Sequence, residues 1–292
     1  MRLLLIAHGS RDPRYAASFE RLCGQLEAEG HVAQVGYLGL CGPDVIEAAG
    51  LLAAAPGPQP QLRTCDEPIV AVPMFLNHGY HVAHDVPAAV AVARAVLVSR
   101  ARIAVAAPLG PDPLLIEAME SRLRALGVWP GDPDTAVVLA SAGTSDRAAL
   151  SALDRLADGW AQTGWHSVTP AYAGAATPAA ADAVASAREQ GAREVVIASY
   201  FLAPGLLADR VATGAPGVMM AAPFATPECA DPALLRLVLR RAAEAAAAAA
   251  ESNAQWTKGG KGAQSAQSAT GKAHTRTGRT RPGIRSGSAL YL

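Results

Sequence analysis

Two histidines stand where chemistry is commonly built. His8 closes the apolar run Leu3–Ala7 and opens the stretch Gly9-Ser10-Arg11. His81 ends the segment His78-Gly79-Tyr80-His81, just past a second apolar run at Ile69–Phe75. A neutral imidazole offers one nitrogen lone pair to a divalent ion and takes up a proton near neutral pH, so it can hold a metal and later exchange it for a proton. If the two runs are neighbouring parallel strands, about 4.8 Å apart, both rings can reach one ion at bond lengths of about 2 Å. A lone histidine after a strand is usually an ordinary loop residue, so the weight rests on the pair. Ser10 and Arg11 add a hydroxyl and a guanidinium able to grip a carboxylate, which suits a planar, polyanionic substrate. His78 and Gly79 join them as candidate substrate-binding residues, and Gly9 and Gly79 suit a tight turn or the close approach of a ligand. His84 and Asp85 follow at once, a dense cluster for a chain with seven histidines. For Asp85 the structural reading is an N-cap for the helix led by Pro87, and Asp12 reads as a cap at Pro13.

The elements that must carry these residues alternate. Short apolar runs at Leu3–Ala7, Ala33–Leu38, Ile69–Phe75 and Ile103–Ala106 are separated by helical patterns at Tyr15–Glu29, Pro43–Ala54, Val86–Val98 and Leu114–Leu126. Such a βα series predicts a parallel sheet covered by helices on both faces, here a flavodoxin-like four-stranded domain in which the first and third strands are neighbours. Ligands of these sheets bind beyond the carboxyl ends of the strands, where the strand order reverses. The two histidines should converge at that rim.

The series then repeats: Ala136–Ala140, Arg147–Gln162, Val168–Ala171, Pro178–Gln190, Glu194–Phe201, a short helix near Leu206–Ala212, Val218–Ala221 and Asp231–Ala250. Three local matches mark a true internal repeat. Residues 5–12 (LIAHGSRD) align with 139–146 (LASAGTSD), 75–80 (FLNHGY) with 201–206 (FLAPGL), and 112–115 (DPLL) with the DPALL at 231–235. The expected organisation is a first domain over 1–130 carrying the metal site, a degenerate second domain over 131–250, and a basic, disordered tail over 251–292. The boundary falls in the Pro- and Gly-rich 127–134. In the repeat, Ala142 stands opposite His8 and Leu207 opposite His81. Both imidazoles are absent together from the second half, which predicts one metal site per chain.

Of the 292 residues, 51% are hydrophobic and 17% charged, enough apolar material for two domains. The net charge is zero, but 252–292 hold seven Lys or Arg and no acid, leaving 18 basic against 25 acidic residues elsewhere. The folded part therefore offers no nucleic-acid footprint. Cys23, Cys41, Cys65 and Cys229 are scattered, without metal-binding spacing, and read as reduced and mostly buried. No signal-peptide pattern or membrane-spanning run is present, so a cytoplasmic protein with no membrane partner is expected.

The strand ending in Ala7-His8-Gly9-Ser10-Arg11-Asp12-Pro13, together with Val72-Pro73-Met74-Phe75-Leu76-Asn77-His78-Gly79-Tyr80-His81-Val82, resembles the sirohydrochlorin chelatases, the class II chelatases CbiX and SirB. The resemblance covers nearly all of 1–249 and extends to the long form with two halves. It implies insertion of Co²⁺ or Fe²⁺ into sirohydrochlorin, a small-molecule tetrapyrrole, toward sirohaem or cobalamin. No cofactor is permanently bound, and His8 and His81 match the family's metal-binding histidines. Many relatives carry Glu-Asp three and four residues after the second histidine. This chain has His84 and Asp85 there, which become the candidate proton acceptors. Two other readings stay open: a non-catalytic metal carrier or tetrapyrrole-binding protein using the same histidines, and a histidine phosphohydrolase, against which Ala7 counts because an Arg is expected before the histidine. Imidazole binds cobalt, iron and nickel alike, so residue types leave the metal open, and likewise the oligomeric state.

Overall fold

The described residues of the computed structural model are 1–56, 68–97 and 101–269, without the side chains of 252–269. Strand β1 (Arg2–Ala7) lies at the centre of the first sheet, paired in parallel with β2 (Val32–Tyr37) on one side and β3 (Ile69–Pro73) on the other. Strand β4 (Ile103–Val105) follows β3, giving the order β2-β1-β3-β4. All six β1 residues are buried, as its uninterrupted apolar run requires for a strand covered on both faces. Helices α1 (Pro13–Ala28), α2 (Val45–Ala54), α3 (Val86–Leu97) and α4 (Pro113–Arg124) form the crossovers. Asp12 and Asp112 cap α1 and α4 ahead of Pro13 and Pro113, and Asp44 with Glu47 closes a capping box on α2.

The second half repeats the plan with β5 (Thr135–Ser141), α5 (Arg147–Ala161), β6 (Ser167–Tyr172), α6 (Ala180–Glu189), β7 (Glu194–Ser199), α7 (Leu206–Gly214), β8 (Met219–Met220) and α8 (Pro232–Ala269), in the order β6-β5-β7-β8. The predicted fold class, two tandem parallel four-stranded sheets flanked by helices, is thus the observed one. The repeat extends to backbone detail. Gly9 (φ +95°) and Gly143 (φ +85°) each make a turn in which an added Cβ would sit 1.8 Å from a carbonyl oxygen, that of Gly39 and of Gly174 respectively.

The two halves share one core. Leu3, Phe19, Leu115 and Met119 from the first pack in the same buried cluster as Leu139, Trp160, Leu234 and Val238 from the second. Residues 1–249 accordingly form a single compact unit. The tail begins differently from expectation: the helix does not stop at Ala250 but runs to Ala269. Its alanine run is the strongest helix-forming sequence available, and an existing helix elongates more easily than a new one starts. The rest of the basic tail, from 270, lies outside the described residues, as does Cys65. Of the other thiols Cys23 is buried, and Cys41 and Cys229 are half-buried. Burial pushes the Cys23 thiol up to about 12, so it is an inert packing residue. Among the described residues no helix is long and apolar enough to cross a membrane.

Candidate metal centre

His8 follows the end of β1 and His81 opens a helical turn beyond β3, the strand paired beside β1. The two rings meet edge to face with centroids 4.6 Å apart. Each has its Nδ1 engaged. The Nδ1 of His8 lies 3.1 Å from the carbonyl oxygen of Gly9, and the Nδ1 of His81 lies 2.5 Å from Oδ2 of Asp85. A carbonyl can only accept, as can an ionised carboxylate, so both Nδ1 atoms carry the proton and both Nε2 atoms keep their lone pairs. A ring stack on Phe75, at 6.1 Å and 28°, sets the plane of His81 from behind.

The turn bearing His81 is a π-helical one, His81–Asp85, closed by a bond from the Val86 N–H to the His81 carbonyl. Such turns insert a residue at the start of a helix and are frequent at functional sites. Asp85 therefore lies inside a helical run and not before one. It is no N-cap, and its side chain is free to hold His81. His84 engages Tyr80 instead: its Nδ1 lies 3.1 Å from the Tyr80 carbonyl, and its ring stacks on Tyr80 at 4.4 Å and 18°.

Both imidazoles line one cavity of about 1050 Å³, at the upper end of the range for small-molecule sites. Gly9, Ser10, Arg11 and Gly79 line it as well, whereas His78, His84 and Asp85 do not. Arg11 is exposed and has no ion-pair partner among the described residues. Ser10 accepts the Asp12 N–H at 3.1 Å, and the Arg14 guanidinium holds the Asp12 carboxyl below the usual carboxylate range. Arg14 also reaches Asp209 of α7 at 2.5 Å, an exposed pair. Gly79 has open space where a Cβ would project, so its contribution is room at the lining. The opposite wall comes from the second half: Ala142, Leu207, Phe201, Leu202, Pro204 and Leu206. The imidazoles stand on the first wall, and the second is mainly apolar, with Ser141, Thr144, Tyr200 and Asp209 as its polar members. Among the described residues no group of three or more His, Cys, Asp or Glu is arranged to hold a metal ion, so two imidazoles are what the centre offers.

The family model CbiX matches twice, over residues 2–126 and 136–245, once for each half. The chain belongs to the CbiX family. A curated relative, the sirohydrochlorin cobaltochelatase of Methanopyrus kandleri, is 33% identical over 87 residues, which span 29% of this chain and 54% of that protein. Two solved structures share the fold: SirB from Bacillus subtilis with Fe³⁺ (TM-score 0.60, 20% identity, 86% of this chain and 98% of that one) and the sirohydrochlorin chelatase SirB from Bacillus subtilis subspecies spizizenii in complex with cobalt (TM-score 0.61, 19% identity, 84% and 96%).

Sequence reasoning missed the aromatic surroundings of the centre. Tyr80, 69% exposed at the cavity, sits inside the very segment that drew attention to His78 and His81. Its aromatic type was the available signal. Tyr200 could not have been found that way, because it belongs to the half that lacks the counterparts of His8 and His81.

Proposed function

We propose that this protein inserts a divalent metal, Co²⁺ or Fe²⁺, into sirohydrochlorin, with His8 and His81 holding the ion before transfer. The observation that carries this reading is the meeting of two imidazoles, each with its Nδ1 tied and its Nε2 free, in one wall of a cavity large enough for a macrocycle. The family membership and the cobaltochelatase name of the Methanopyrus relative support the same chemistry.

Insertion exchanges M²⁺ for the two N–H protons of the macrocycle. Two imidazole ligands leave the remaining coordination positions to water or to pyrrole nitrogens, so the ion can be handed over stepwise. When the metal leaves, the two Nε2 lone pairs are freed and accept the two displaced protons. Asp85, bonded behind His81, neutralises the charge that this ring gains. It is thus the proposed acidic partner, while His84 braces Tyr80. Arg11 at the cavity edge is the proposed anchor for a peripheral carboxylate of the substrate, and Ser10 and Gly79 shape the same wall. A protein with this role would work in the cytoplasm.

The test is insertion of Co²⁺ and Fe²⁺ into sirohydrochlorin followed by absorbance, against the spontaneous rate. Wild type should exceed that rate, and His8→Ala and His81→Ala should fall back to it while keeping their circular dichroism. A wild type that binds metal and tetrapyrrole without acceleration would instead be a carrier.

A further inference from the structure

The second half, which lacks both imidazoles, still touches the loop that carries one of them. Tyr200, at the end of β7, is buried, and its hydroxyl donates to the carbonyl oxygen of Leu76 at 3.2 Å, across the boundary between the halves. Leu76 begins the segment between β3 and the His81 turn. Only Asn77 and His78 separate it from Gly79, whose carbonyl accepts the N–H groups of Val82 and Ala83 in the turn that bears His81. Fixing the Leu76 carbonyl therefore fixes the entry to that turn.

The repeat supplies an internal control. In the second half the Phe201 and Leu202 carbonyls accept from Phe224 N–H (3.0 Å) and Ala225 N–H (2.8 Å), both from the same half. In the first half the Leu109 and Gly110 N–H groups both go to Phe75 (3.0 and 3.3 Å), which leaves the Leu76 carbonyl to the tyrosine. Gly110 makes room for this arrangement: a Cβ there would lie 2.4 Å from the Leu76 oxygen and 2.8 Å from the Tyr200 hydroxyl. By the repeat the residue equivalent to Tyr200 is Met74, which has no hydroxyl to return the bond. The device runs one way, from the half without counterparts of His8 and His81 to the half that carries them. Burial also pushes the Tyr200 phenol above its ordinary range, so it remains a donor throughout the working pH.

We propose that Tyr200 is a positioning residue for the metal centre, setting His81 against His8 through the Leu76 carbonyl. This rests on the reading that the two histidines hold the metal. It assigns the degenerate half a part in metal binding beyond forming a wall of the cavity.

The experiment is a Co²⁺ titration of the full chain followed by the visible d–d bands, for wild type, Tyr200→Phe, Gly110→Ala, Tyr37→Phe and His81→Ala, with thermal midpoints alongside. Tyr200→Phe keeps the ring and loses only the donor, so it should fold. Its Co²⁺ affinity should drop about fivefold, the size of one neutral hydrogen bond, with a shifted d–d spectrum. Gly110→Ala, which wedges the same contact from the other side, should reproduce both changes. Tyr37→Phe removes another buried hydroxyl, one that has no partner and lies outside the cavity lining, and should leave affinity and spectrum as in wild type. Unchanged affinity and spectrum in both Tyr200→Phe and Gly110→Ala would overturn the assignment while leaving the metal centre standing. Wild-type Co²⁺ binding by His81→Ala would overturn the metal centre itself, and the role of Tyr200 with it.

Discussion

His81 is held from two directions, by the Asp85 carboxylate at Nδ1 and by the face of Phe75. A partner behind a ligating imidazole fixes its tautomer and orientation and increases its strength as a ligand. Asp85→Ala should therefore weaken Co²⁺ binding by about 10- to 100-fold, the usual cost of losing such a partner. Asp85→Asn, which keeps an acceptor oxygen and loses the charge, should fall between that variant and wild type. Calorimetric titration decides the matter, and an Asp85→Ala protein with wild-type affinity would place the carboxylate outside the centre. His8 has a weaker support, the carbonyl of the adjacent Gly9, so its orientation depends on the backbone of its own loop.

That dependence is an element-scale property. The β1-to-α1 loop turns through Gly9 at positive φ, against the Gly39 carbonyl, and the β5-to-α5 loop turns through Gly143 in the same way. A side chain at either place meets both the left-handed backbone cost, about 1–3 kcal/mol, and a carbonyl at clashing distance. Gly9→Ala and Gly143→Ala should then lose comparable stability in urea. Only Gly9→Ala should also lose Co²⁺ binding, because only that loop presents an imidazole. Equal metal binding by the two variants would mean that the turn does not set His8. The Gly9 turn was legible from the residue beside His8. The need for it was not, since Gly39 comes near only through the pairing of β1 with β2.

Across the whole unit 1–249 the halves grip each other's helix starts. Asp112 caps α4 and accepts from Arg240 and Arg241 of α8, while Asp231, before α8, lies 3.6 Å from Arg122 of α4. Trp160 donates to Glu120 at 3.0 Å, and Gln25 exchanges two bonds with the Ala230 backbone. Asp112 is nearly fully buried, so Asp112→Ala takes the main carboxylate partner from two guanidinium groups, leaving them Glu244, and removes a cap. It should cost about 3 kcal/mol, the low end for breaking a buried pair because Arg240 is partly in solvent. With a shared core, unfolding should be one transition. Tryptophan fluorescence of a chain with Trp129 and Trp256 replaced by Phe, which leaves Trp160 and Trp165 in the second half, should coincide with far-ultraviolet circular dichroism of the whole chain. Separated midpoints would show that the halves fold independently.

The sequence by itself determined the layout, because strand burial on two faces writes itself as unbroken apolar runs, such as 3–7 and 69–73, and helix starts as Asp-Pro at 12–13 and 112–113. It also pointed to His8 and His81 lying beyond the carboxyl ends of neighbouring strands, since a parallel βαβαβ series leaves little choice of order. Tertiary structure alone decided the rest. Asp85 became the partner of His81 because the turn is π-helical, an outcome of packing that no spacing rule encodes. His84 was turned toward Tyr80, and His78 was left outside the cavity. Tyr200 was brought to the Leu76 carbonyl from 124 residues away by the packing of one half on the other. Contacts between distant segments depend on how whole sheets and helices dock, and the local sequence around either partner carries no record of that docking.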